Sequence, residues 1–107
     1  MPDLPVSTAV NAAVEVGCHA APDGWTCTVR VADADGSTTS HEVRVSRTDL
    51  DRFAPGAEDP VDLVRRSFAF LLARESKASI LRSFDLPVIG RYFPEYDREI
   101  RAGGPRP

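Results

Sequence analysis

Between Pro60 and Arg74 the apolar residues recur at helical spacing. At 100° per residue, Val61, Val64, Phe68, Leu71 and Leu72 share one arc of about 100°, wide enough to cover a sheet. Leu63 and Phe70 fall on the other side. Asp62, Arg65 and Ala69 lie on one flank, Ser67 and Arg74 on the other. Asp59 is placed to cap this helix, and Pro60 fits its first turn, where a missing N–H costs nothing. A helix apolar on two sides needs cover on both. A sheet supplies one. For Leu63 and Phe70 the cover is either the C-terminal segment folding back or a second chain.

The first half of the chain has a period of two. From Val6 to Cys18 the even positions read Val, Thr, Val, Ala, Val, Val, Cys, while Glu15 and Gly17 fall on the other face. After a Pro22-Asp23-Gly24 turn signal, Trp25, Cys27, Val29 and Val31 share a face. A second turn at Ala34-Asp35-Gly36 leads to His41, Val43 and Val45. One register, with Cys18 facing Cys27, Val16 facing Val29 and Val14 facing Val31, puts every apolar residue of the first hairpin on one side. The pattern predicts an antiparallel sheet with one covered face and one wet face.

The second half reads as helices. Thr48 is a candidate cap for a short helix over 49–53, with Leu50 and Phe53 turned inward. Ser76 is a candidate cap for a helix from Lys77 to Phe84, with Ile80, Leu81 and Phe84 as its buried stripe. Pro87 starts a third turn carrying Val88, Ile89, Tyr92 and Phe93, and Tyr96 to Ile100 form a last one. The expected architecture is α+β and a single domain over 1–107. A three-stranded antiparallel β-meander (6–47) has one face covered by C-terminal helices (48–101), and a disordered tail spans 102–107.

Composition changes this picture little. The chain is 42% hydrophobic and 27% charged, as in ordinary globular proteins. No run approaches the roughly 18 apolar residues of a membrane span. The N-terminus lacks the basic and apolar regions of a signal peptide, so a cytoplasmic protein with no membrane partner is expected. Charge adds an asymmetry. Residues 1–62 carry four Arg against eleven acids, whereas 63–92 carry six cations against Glu75 and Asp85. The basic helical centre suits either an acidic partner or the protein's own acidic layer.

Candidate chemistry is sparse. Cys18, His19, Cys27 and His41 are the only Cys and His, and their spacing fits no familiar zinc pattern. No metal and no cofactor are expected, and both thiols are expected buried and reduced, as in the cytosol. Glu75, Asp85, Glu95, Asp97 and Glu99 lie at helix ends or on a solvated face, Asp85 as a cap for the next turn. Ser76, Ser79 and Ser83 have no base arranged beside them, and no nucleotide or hydrolase motif is present. No reaction is named, and catalysis is not expected. The helices meeting near Phe84-Asp85-Leu86-Pro87 are superficially like a helix-turn-helix, with Arg74, Lys77, Arg82 and Arg91 as nucleic-acid contacts. The candidate recognition helix, Val88 to Phe93, is mostly apolar, which favours packing over base reading.

The segment KASILRSFDLPVIGRYFPEYDREI, preceded by VDLVRRSFAFLLARE, resembles the C-terminal half of a group of small bacterial proteins. The resemblance spans Val61 to Ile100, is carried by Ile80 to Pro94, and implies a recurring structural module. It brings no activity, cofactor or site residue. The expectation for function is therefore a small protein-binding module, self-associating as a homodimer, with Leu63, Arg66, Phe70 and Arg74 as its contact surface. The alternative is a nucleic-acid-binding regulator using 74–91.

Overall fold

A computed structural model describes residues 13–102. Strands β1 (Ala13–Ala21), β2 (Gly24–Ala32) and β3 (Thr38–Ser46) form the expected antiparallel meander. The predicted register is present, with Cys18, Val16 and Val14 facing Cys27, Val29 and Val31. The Val6–Ala12 part of the predicted first strand lies outside the described residues. Gly24 closes the two-residue turn because only glycine fits: a Cβ there would lie 2.2 Å from the Val45 carbonyl oxygen. The Asp35 carboxylate fixes the next turn by accepting from the Ser37 N–H at 2.9 Å and its hydroxyl at 2.6 Å.

Helix α1 (Arg47–Phe53) follows β3 directly. Its cap is Ser46, not Thr48. The Ser46 hydroxyl accepts from the Asp49 N–H at 3.0 Å, and the Asp49 carboxylate accepts from the Ser46 N–H at 3.1 Å. This reciprocal box satisfies two backbone donors at once. Helix α2 (Val61–Leu72) lays Val64, Phe68 and Leu71 on the sheet, all buried. Pro60 occupies the cap position, while the Asp59 carboxylate accepts from the Val61 N–H at 3.0 Å.

The segment after α2 departs from expectation. Lys77–Ser79 is one 3₁₀ turn, and Ser83–Asp85 is a fourth strand, β4, parallel to β3. No helix runs from Lys77 to Phe84, so the helix-turn-helix likeness is lost. The open edge of β3 offered unpaired backbone groups, and the chain takes them, with the Glu42 N–H donating to the Arg82 carbonyl at 2.7 Å. Extended backbone turns Phe84 inward against Val43 and releases Leu81 to 46% exposure. The sheet is thus mixed, in the order β1-β2-β3-β4. A second 3₁₀ turn (Leu86–Val88) runs into α3 (Ile89–Tyr92), and α4 (Tyr96–Arg101) ends the described chain.

The C-terminal segment covers the outer side of α2. Phe70 meets Phe93 and Tyr96 edge-on, with ring centroids 5.8 and 5.2 Å apart. Leu63 and Phe70 are 1% and 0% exposed. Of the two covers considered for them, the chain's own tail is the one present. Cys18 and Cys27, expected as reduced thiols, are joined in a disulfide with Cα atoms 4.0 Å apart. The ladder brings the two within bonding reach, because a cross-strand pair that exchanges no ladder hydrogen bonds is the closer kind, at about 4.5 Å.

Candidate functional site

An apolar groove lies where α2 ends. Leu71 of α2, Ile80, Phe84 of β4 and Ile89 of α3 make its floor, and each is at most 6% exposed. Leu81 and Tyr92 stand on its rim at 46% and 65% exposure, and Glu75 and Ser79 add polar edges. The groove holds about 310 Å³. That is the small end of ligand pockets, which run from about 300 to 1,000 Å³. Its shape follows from the sequence around it. β4 holds Phe84 beside Val43, and after the turn at Pro87 the chain brings Ile89 and Tyr92 of α3 to the same groove as Leu71 of α2.

Arg74, outside the groove lining, ties the end of α2 to the C-terminal segment. Its guanidinium lies 3.6 Å over the Phe70 ring centroid and donates to the Phe70 carbonyl at 3.1 Å. It also reaches Glu95 at 3.1 Å and Glu99 at 3.3 Å. The Glu95 carboxyl is held below its ordinary value, first by its own backbone N–H and then by Arg74. Asp97 is likewise lowered, first by the hydrogen bond from Arg52. In the layer beneath, the Ser67 hydroxyl donates to the Leu63 carbonyl at 2.8 Å, so the Tyr96 hydroxyl donates to Ser67 at 2.7 Å. Burial pushes the Tyr96 phenol well above its usual range.

The contact surface expected from the sequence is already occupied. Leu63 and Phe70 are covered, Arg66 donates to Asp62 at 2.8 Å and to the Ile100 carbonyl at 3.0 Å, and Arg74 is bound as described. Of the expected nucleic-acid contacts, Arg74 is paired, and Lys77 donates to Asp33 at 2.6 Å and Ser37 at 2.7 Å. Arg82 and Arg91 are exposed and make no ion pair among the described residues. Each adjoins a rim residue in sequence, Leu81 and Tyr92 respectively.

The polar candidates are also spoken for. His41 is buried between the Thr39 hydroxyl at 2.8 Å and the Leu81 carbonyl at 2.7 Å. Cys18 and Cys27 are bonded to each other, and His19 is exposed on the wet face. No group of three metal-ligating side chains exists among the described residues. Asp85 spends its carboxylate on Arg44 at 2.6 Å rather than on a helix cap, and Ser83 accepts from the same arginine at 2.9 Å. The groove offers one carboxylate, one phenol and one hydroxyl along an apolar floor.

Sequence reasoning placed Leu81 in a buried stripe and Tyr92 among packing groups. No local signal separates a three-residue strand at 83–85 from the helical stripe that Ile80, Leu81 and Phe84 also fit. None of the described helices is long and apolar enough to cross a membrane. No protein-family model, curated protein or solved structure matches the chain.

Proposed function

We propose that the protein is a small non-catalytic binding module that takes an apolar and acidic segment of a partner protein in the groove between α2, β4 and α3. One observation carries the reading. The two exposed large apolar side chains of the described residues, Leu81 and Tyr92, stand on the rim of the same apolar groove. Exposed apolar surface concentrated around a concavity marks a contact site. Charge suggests the partner's chemistry: the exposed Arg82 and Arg91 adjoin the rim residues in sequence, and Glu75 is the one acid lining the groove. An extended segment presenting a few apolar side chains with neighbouring Asp or Glu fits a small, open site of this kind.

The reading is tested by selecting random peptides displayed on phage against the full chain, with counter-selection on a Leu81→Asp, Tyr92→Asp variant. Enrichment of acidic-apolar peptides that ignore the variant supports it. No enrichment, or equal binding to the variant, removes it. Of the four cations expected to contact nucleic acid, only Arg82 and Arg91 make no ion pair among the described residues, two phosphate contacts where a binding surface normally uses several. The disulfide weighs against a cytoplasmic placement, because cytosolic thiols are kept reduced. Alkylation of thiols in intact cells decides the compartment.

A further inference from the structure

The outer edge of β1 is open: among the described residues no strand pairs with it. Proteins usually blunt such an edge with Lys, Pro, a bulge or a short strand. β1 uses none of these. It is nine residues long, pairs with β2 without interruption, and carries Glu15 as its one charged acid or base besides His19. The close approach of Cys18 to Cys27 marks a pair that exchanges no ladder bonds. Alternation then aims the odd-numbered N–H and C=O groups at β2. Those of Val14, Val16, Cys18 and Ala20 point outward.

We propose that this edge joins a second copy of the chain in an antiparallel homodimer centred on Gly17. Gly17 is the midpoint of Ala13–Ala21, so a two-fold axis there overlaps the two strands over their full length. Val16 then faces the partner's Cys18 and Val14 faces the partner's Ala20. These are the outward-pointing residues, so each of the four pairs exchanges two bonds, about eight in all. Val14 and Val16 are half-buried beside the core, and pairing covers them further. On the wet face Glu15 meets the partner's His19, twice by symmetry, an acid accepting from an imidazole N–H. Gly17 meets the partner's Gly17 at the closest kind of approach. A Cβ there would find nothing within 4 Å in its own chain, so the monomer gives no packing reason for a mid-strand glycine. The edge is distinct from the groove, and either proposal stands if the other fails.

Sedimentation velocity of the full chain over a hundredfold concentration range, with amide hydrogen exchange, tests this. The account expects a species of twice the chain mass, with protection at Val14, Val16, Cys18 and Ala20 that rises with concentration. Val16→Pro removes an N–H that faces outward, so it leaves the β2 ladder intact and weakens the dimer at least about tenfold. Gly17→Cys, oxidised with oxidised glutathione, links two chains through residue 17. Glu15→Cys, which faces the partner's His19, does not. A monomer throughout, protection of those amides independent of concentration, or a dimer unchanged by Val16→Pro and not linked through residue 17 overturns the proposal.

Discussion

The guanidinium of Arg74 rests 3.6 Å above the ring of Phe70. Sequence alone placed these two residues on an outer contact surface, yet they form the joint by which the C-terminal segment is fastened to α2. Arg74 contributes cation–π contact, a backbone hydrogen bond and two ion pairs, with its side chain 24% exposed. We expect Arg74→Met to cost about 1–3 kcal/mol in urea unfolding. Arg74→Lys should recover only part, because an ammonium cannot stack and bond in several directions together.

Acid should loosen the same joint. Glu95 and Asp97 both titrate below their ordinary values of 4.5 and 3.8. A lowered folded value means their stabilisation is complete above the unfolded value and is lost as pH falls through the folded one. The stability difference between wild type and an Arg52→Ala, Arg74→Ala variant should therefore be full at pH 7 and shrink below about pH 4. Unfolding midpoints at pH 7 and pH 3 measure it, and an undiminished difference at pH 3 would contradict it.

Tyr96 works in the opposite direction. Burial raises its phenol, so the fold prefers the neutral form, and stability present below the ordinary value of 10 is lost as pH rises beyond it. Ultraviolet titration should show the Tyr96 phenolate appearing only with unfolding. Tyr96→Phe leaves Ser67 bonded to Leu63 and should cost about 0.5–1.5 kcal/mol. Tyr96→Ala empties a core site and should cost about 3–5 kcal/mol.

What could be read from the sequence, and what could not, follows from how local the signals are. The β1–β2 register was legible because Cys18, Val16 and Val14 must share a side with Cys27, Val29 and Val31 across a two-residue turn. The inward turn of Leu50, Phe53, Val64 and Phe68 followed from helical spacing alone. β4 was hidden because Ile80, Leu81 and Phe84 also fit a helical stripe. Three residues are too few to show alternation, and the partner strand lies about forty positions earlier. With β4 unseen, the groove and the exposure of Leu81 were unseen too. The Ser46 cap was legible in principle, since Asp49 stands three residues on.

The groove rim should be dispensable for folding. Leu81→Ser and Tyr92→Ser alter exposed side chains and should stay within about 0.5 kcal/mol of wild type. Phe84→Ala, in the floor beneath them, should lose about 3–5 kcal/mol. Thermal unfolding of the three variants side by side measures the contrast. A large loss at either rim position would assign it to packing.

The most direct measurement is a chemical-shift titration of the isotope-labelled full chain with two pools of short peptides, identical in their Leu and Phe positions but carrying either Asp and Glu or Lys between them. The account predicts shifts confined to Ile80, Leu81, Phe84, Ile89 and Tyr92, with the acidic pool binding at least about tenfold more tightly. Equal binding of both pools, shifts located elsewhere, or none at millimolar peptide would contradict it.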